Sequence, residues 1–197
     1  MRILIASGNK GKVRELKAML EPLGIETVSP HAIGGLPEVE EDGDTFEANA
    51  TKKAVEAAMA IGIPVFADDS GLEVRALDDA PGVLSARYAG PDASDADRVN
   101  KLLHSLAGVA DRAARFVCVI AVATPCGACQ TFRGEIKGQI LDSPKGESGF
   151  GYDPVFVPDG YSLTFAELTA DIKNKVSHRA QALKLALPAI VAMAQKG

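Results

Sequence analysis

Strand-like and helix-like apolar patterns alternate along the first third of the chain, and this alternation limits the possible architectures more than any other feature. Residues 2–6 and 25–28 are short apolar runs of strand character, and between them Val13, Leu16, Leu20 and Leu23 recur at helical spacing over residues 11–23. Asp44 and Glu47, three apart, resemble a capping pair that opens a second helix through Ala50, Ala54, Ala57 and Ile61, closed by Gly62 and Pro64. A strand over 64–68 follows. Strand–helix–strand order of this kind joins parallel strands, so an α/β fold with a partly parallel sheet is predicted.

The second half uses a different connection. Residues 115–124 and 131–140 read as long strands joined by a turn at 125–129, a hairpin and therefore antiparallel, so the sheet is expected to be mixed. Ahead of them, Ser94 with Asp97 caps a helix bearing Val99, Leu102, Leu103 and Leu106. Residues 146–154 form a loop by composition, a strand covers 155–157, and helices over 165–174 and 177–194 end the chain. Pro188 lacks the amide that the last helix needs and is predicted to kink or end it. A length of 197 residues without repeats or low-complexity linkers suits one domain, or two lobes sharing a core.

Composition excludes several classes of function. With 47% hydrophobic and 24% charged residues, the chain has the balance of a soluble globular protein. No apolar run approaches the roughly eighteen residues of a membrane span, and residues 1–7 are too short for a signal segment, so a cytoplasmic location is expected. A net charge of -5 argues against a dedicated nucleic-acid binder, which needs a basic face. The signs are segregated, however: acids crowd Glu38, Glu40, Glu41, Asp42, Asp44 and the pair Asp68-Asp69, while lysines and arginines cluster near both ends. A small polyanion bound together with a metal ion needs both signs in one place.

The three cysteines do not make a disulfide framework. Cys118 lies in an apolar run and reads as core. Cys126-Gly127-Ala128-Cys129 is a CxxC, but no second pair completes a zinc site, and His31 and His104 lack ligand-like spacing to it. Its place between two strands favours a hairpin turn over a redox motif, which would open a helix.

Four further segments carry residue types suited to chemistry, beside Asp68-Asp69. Two adjacent acids repel unless a cation or proton intervenes, so a divalent metal is one reading of that pair and an acidic, capping turn is the other. The loop Ser7, Gly8, Asn9, Lys10, Gly11 and Lys12 can bring amides and ammonium groups to an anion at a helix N-terminus, although it matches neither GxxxxGK[ST] nor GxGxxG and can equally be a plain connection. Glu40 or Glu41, together with Asp69, can supply the carboxylates that a hard cation such as Mg²⁺ takes; an exposed acidic loop before a helix is the alternative. Phe150, Gly151, Tyr152 and Asp153 offer stacking faces and an acceptor, or else anchor a loop to the core. Lys173 precedes Ser177, a candidate N-cap that places His178 and Arg179 in a first helical turn, where the helix dipole opposes cations. That local conflict favours a functional role.

Six segments in order, Ser-Gly-Asn-x-Gly-Lys, Glu-Glu-x-Gly-x-Thr-Phe, Ala-Asp-Asp-Ser-Gly-Leu, Pro-Gly-x-x-Ser-Ala-Arg-Tyr, Gly-Phe-Gly-Tyr-Asp-Pro and Ser-His-Arg, resemble the inosine triphosphate pyrophosphatase family over nearly the whole chain. The resemblance implies an elongated α/β homodimer with a mixed sheet, two lobes around a nucleotide-binding cleft, and Mg²⁺-dependent hydrolysis of ITP, dITP or XTP to the monophosphate and pyrophosphate. It implies that Ser7, Gly8, Asn9, Lys10, Gly11 and Lys12 hold the triphosphate, and that Asp69 binds metal and accepts a proton. It further implies that Ser70 contacts substrate, that Glu40 is the second metal ligand with Glu41 as its rival, and that Phe150, Gly151, Tyr152, Asp153, Lys173, His178 and Arg179 complete the nucleotide site. Replacing Arg179 is then expected mainly to erode discrimination between ITP and ATP. A Maf-type pyrophosphatase with another base preference, or a nucleotide-binding module without turnover, are the competing readings.

Overall fold

The computed structural model describes residues 2–28, 30, 34–36 and 39–194. His31 and Glu38 lie outside the described residues. The elements in chain order are β1 (Arg2–Ile5), α1 (Lys10–Leu20), β2 (Glu26–Val28), α2 (Phe46–Ile61), β3 (Val65–Val74), α3 (Asp95–Ser105), β4 (Ala113–Ala123), β5 (Cys129–Ile140), β6 (Phe156–Pro158), α4 (Ala170–Val176) and α5 (His178–Ala194). One six-stranded sheet runs in the order β2-β1-β3-β4-β5-β6. β1 pairs in parallel with β2, Ile3 opposite Thr27, and with β3, Ile5 opposite Phe66, whereas β5 and β6 are antiparallel with Gln139 opposite Val157. The mixed α/β sheet expected from the sequence is therefore present.

The chain forms two compact units, each with its own core. The first takes the chain up to Asp69, then Cys118–Gly134, then everything from Arg179; the second takes Ser70–Val117 and Glu135–His178. In the first, Leu16 and Leu20 of α1 and Ala182, Ala186 and Ile190 of α5 pack with Ile5, Phe66 and Ile120 of the strands. In the second, Leu72, Val99, Leu102, Phe116, Phe156 and Phe165 form a separate cluster. Each fully buried Leu, Ile or Phe in these cores contributes about 1.5–3 kcal/mol.

Local chemistry sets the element ends. Asn9 caps α1, Ser94 and Asp97 form the expected reciprocal capping box on α3, and Gly62 ends α2 in the left-handed conformation. α2 is capped by Thr45 and not by Asp44: the Thr45 hydroxyl accepts the Ala48 amide at 3.1 Å, so the helix starts one turn position later than the acid pattern suggests. The strand at 64–68 does not stop at the acids. β3 continues to Val74, because Leu72 and Val74 are fully buried in the second core and the Leu72 amide donates to Ser85 Oγ at 2.9 Å. Nor does Pro188 end α5, whose buried Ala186 and Ile190 fasten it to the first core on either side of the proline. The stretch expected to be helical from 165 begins its helix only at Ala170, after Thr169 caps it.

Candidate active site

Asp68 and Asp69 lie within a strand, so their side chains leave on opposite faces and meet different partners. Asp68 is 1% exposed, and its Oδ2 gathers Lys12 Nζ at 3.3 Å, Arg179 Nη2 at 3.5 Å and the Cys118 thiol at 4.0 Å. Arg179, also 1% exposed, pairs through Nη1 with Glu15 of α1. Asp69 faces Lys53 of α2, whose ammonium stands 3.3 Å from Asp69 Oδ1, 2.9 Å from Glu41 Oε1 and 2.8 Å from the Asp68 carbonyl. These contacts link the carboxylates of Glu15, Glu41, Asp68 and Asp69 with Lys12, Lys53 and Arg179 in one network, largely buried apart from the half-exposed Glu41.

The two neighbouring acids are driven in opposite directions. Burial opposes charge on Asp68, but Lys12, Arg179 and Lys53 outweigh it and hold its pKa at about 2, so it is a permanent anion. For Asp69, burial dominates; Lys53 and Lys12 offset it only in part, and the charges of Glu41 and Asp68 add to it, leaving a carboxyl above its ordinary 3.8. A carboxylate with a raised pKa is a better proton acceptor than an exposed one, which suits it to act as a general base. Lys53 shows the reciprocal effect: although burial opposes its charge, Asp69, Asp68 and Glu41 hold it above the usual lysine value.

Asp69 Oδ2 and Asp68 Oδ1 are buried without a hydrogen-bond partner among the described residues. A buried carboxylate oxygen left unpaired is costly, and a cation is the natural way to satisfy it. The donors fit a hard divalent ion: Asp69 and Glu41 are both oxygen ligands and already share one cation, the Lys53 ammonium. No group of three His, Cys, Asp or Glu side chains suited to a metal occurs among the described residues, so such an ion takes the rest of its shell from water or ligand oxygens. Glu40 is exposed, and its charge acts on Lys52; of the two adjacent glutamates, Glu41 is the one brought to Lys53 and Asp69.

Ser7, Gly8 and Asn9 form the connection from β1, and Lys10, Gly11 and Lys12 begin α1. Asn9 Oδ1 accepts the Gly11 and Lys12 amides at 2.9 and 3.1 Å, and Ser7 Oγ accepts the Asn9 amide at 3.3 Å. Two of the amides that the sequence offers to an anion are therefore used by the cap. The lysines of the segment diverge: Lys12 turns inward to Asp68, while Lys10 lines a surface depression with Arg14 and Lys17.

The second unit assembles another group of the expected residues. Lys173 is buried, pairs with Asp153 Oδ2, and lies 5.0 Å from the Phe150 ring centre and 5.5 Å from that of Phe165. The same Asp153 oxygen accepts the Phe150 amide at 2.8 Å, which curls the 150–153 segment around the carboxylate. Tyr152 is buried and donates to the Ser85 carbonyl at 3.0 Å, while Ser85 Oγ accepts from Leu72 and donates to the Gly82 carbonyl. This gives the Pro-Gly-x-x-Ser-Ala-Arg-Tyr segment a role, bracing β3 just beyond Ser70 against the aromatic loop. His178 is buried with its ring stacked on Phe116 at 4.8 Å.

Gly149 is required by this geometry. Its φ is +82°, and a Cβ there would stand 2.1 Å from Asp153 Oδ2. Gly149→Ala is expected to cost about 1–3 kcal/mol of stability and to raise KM by displacing Asp153 from Lys173, which urea unfolding and steady-state kinetics would measure.

Three members of these networks escape the sequence reading: Glu15, Lys53 and Ser85. Lys53 had a signal, since it interrupts the buried stripe Ala50, Ala54 and Ala57 of α2. Glu15 sits beside Leu16 on the buried face of α1, where an acid needs a buried cation, but the sequence does not disclose that the cation is Arg179.

The sequence profile of the Ham1 family matches residues 3–189. The chain belongs to the Ham1 family. A dITP/XTP pyrophosphatase of Exiguobacterium sp. is 53% identical over 184 residues, covering 93% of this chain and 94% of that protein. One from Syntrophobacter fumaroxidans is 54% identical over 181 residues, 92% of this chain and 78% of that protein. Among solved structures, a HAM1 protein from Coxiella burnetii superposes with a TM-score of 0.87 at 41% identity, covering 98% of this chain and 99% of that one. Membership in the Ham1 family bears out both the α/β fold and the resemblance read from the six segments.

Proposed function

We propose that this Ham1-family protein hydrolyses the deaminated purine nucleoside triphosphates ITP, dITP and XTP to the monophosphate and pyrophosphate, a nucleotide-pool housecleaning activity. The observation that carries the proposal is Asp69: a buried carboxyl with a raised pKa, one unpaired oxygen, and Lys53 and Glu41 at its side. The dITP/XTP pyrophosphatase names borne by relatives about half identical to the chain support the same chemistry.

In this mechanism Asp69 orients a water molecule toward the α-phosphorus and takes its proton, while Lys12 and Lys53 offset charge on the triphosphate. Asp69 and Glu41 would hold a divalent ion, Mg²⁺ by its preference for carboxylate oxygens, which when bound would supply charge neutralisation toward the triphosphate. Asp68 keeps Lys12 and Arg179 charged and in place. Ser7, Gly8, Asn9, Lys10 and Ser70 contact the phosphates, with Gly11 closing the α1 cap behind them, and Phe150, Gly151, Tyr152, Asp153 and Lys173 contact the nucleoside. His178 donates to the 6-oxo group that ITP and XTP carry and ATP lacks, while Arg179, held by Glu15 and Asp68, braces the site from within. A homodimer in the cytoplasm, without nucleic-acid or membrane partners, completes the proposal. It draws on the family resemblance and the net charge of -5; no helix among the described residues is long and apolar enough to cross a membrane.

A panel of triphosphates with Mg²⁺ tests the reading. ITP, dITP and XTP are expected to release pyrophosphate, with ATP slower by at least about 10²-fold because its amino group leaves the donors unpaired. Release of orthophosphate, or preference for dTTP or UTP, would overturn it.

A further inference from the structure

The CxxC lies outside every residue given a role above, and its two sulfurs are in unlike surroundings. The turn from β4 to β5 is closed by the Gly127 amide on the Thr124 carbonyl and the Thr124 amide on the Ala128 carbonyl, both at 2.9 Å, with Gly127 at φ +84° reversing the chain. Cys126 is exposed at the tip, its Sγ 3.0 Å from the Thr124 hydroxyl. Cys129 is half-buried at the first position of β5, against Thr51 of α2 and the Val122 backbone.

We infer that Cys126 and Cys129 form a peroxide-responsive dithiol in which the exposed Cys126 is the attacking sulfur and Cys129 resolves it to an intramolecular disulfide. Exposure gives a hydroperoxide access to Cys126, and the Thr124 hydroxyl can donate to its thiolate. Thr124 and the Ala128 amide also hold that thiol below its ordinary pKa of 9.0, whereas burial pushes Cys129 above it. A metal site is the poorer reading, because no group of three ligating side chains includes the pair among the described residues.

The chemistry balances in two steps. The Cys126 thiolate attacks one oxygen of the hydroperoxide, forming S–O and breaking O–O; the alkoxide leaves and takes a proton as an alcohol, or as water from hydrogen peroxide. The sulfur, oxidised by two electrons, is now a sulfenic acid. The Cys129 thiolate attacks it, forming S–S and breaking S–O, and the departing hydroxide takes up the proton released by Cys129. Two thiols and one hydroperoxide thus give a disulfide, an alcohol and water. The Cys129 sulfur gives up its contact with Thr51 as it turns toward Cys126. Cys118, buried and pushed up to about 12 first by burial and then by Asp68, takes no part.

The full-length protein treated with one equivalent of hydrogen peroxide tests this by mass spectrometry. The tryptic peptide 116–133 carries all three cysteines, so fragment ions must place any bond. The expected result is loss of two hydrogens between Cys126 and Cys129, reversed by a dithiol reductant. Native alkylation is expected to modify Cys126 on the order of tenfold faster than Cys129. In Cys129→Ser the sulfenic acid at Cys126 should persist and react with dimedone. Oxygen addition at Cys126 of the unmutated protein without a cross-link, disulfide-joined dimers in dilute solution, or equal alkylation of the two thiols would each overturn the inference.

Discussion

Asp69→Asn is expected to lower kcat by about 10²–10⁴ while leaving the fold intact. The substitution keeps the shape of the side chain and removes only its charge and basicity. Lys53 loses one carboxylate but retains Glu41 and the Asp68 carbonyl, so no buried ammonium is left alone. Stability gives an independent readout. The folded pKa of Asp69 lies above 3.8, so the folded state binds this proton more tightly than the unfolded chain does. The stabilisation that follows is fully present below the ordinary carboxylate value and is lost as pH rises through the raised one. Asparagine cannot titrate, so that part of the pH dependence should vanish from urea unfolding of the variant. In the native protein the rate should rise over the same window as the base is uncovered. A divalent ion held by Asp69, as proposed, would compete with the proton there, so more Mg²⁺ should move this limb to lower pH. Undiminished turnover by Asp69→Asn would remove the acid from the mechanism.

What the sequence discloses and what it conceals divide along a physical line. Most short-range signals are read correctly: Ser94 and Asp97 make their capping box, Gly62 ends α2, and the hairpin turns within the expected 125–129, although Thr45 takes the α2 cap expected of Asp44 and β5 already begins at Cys129. The errors arise where tertiary burial outweighs a local breaker. The strand read over 64–68 stops short of the real one, because Leu72 and Val74 have a core to enter and carry β3 onward. Pro188, expected to kink or end α5, does not end it for the same reason. At the site, residue types are legible but pairings are not. Asp68 and Asp69 are equivalent as letters; strand alternation sends one to Lys12 and Arg179 and the other to Lys53. Glu40 and Glu41 differ only in which faces Lys53.

Arg179→Met is the most destabilising single change to expect, at about 3–5 kcal/mol, and it should be read for stability before specificity. A role confined to choosing ITP over ATP, as its position in the sequence suggests, would leave folding unaffected. The structure instead places this guanidinium, 1% exposed, between Glu15 and Asp68. Removing it takes a cation from two buried acids, Glu15 and Asp68, and leaves Asp68 to Lys12 and the more distant Lys53. The pH dependence separates lost charge pairing from lost packing. Asp68, held at about 2, contributes stability that is present above its ordinary 3.8 and is lost only as pH falls through about 2. Without Arg179 its pKa should rise, so the variant can shed that charge by protonation at a higher pH than the native protein can. The gap between the two proteins in urea unfolding should therefore be widest near neutrality and narrow as the solution is acidified. Glu15→Gln, added to Arg179→Met, should recover part of the loss by removing the second acid that Arg179 pairs with. A gap that stayed constant with pH, and a second substitution that recovered nothing, would mean that Arg179 stabilises the core by its volume alone.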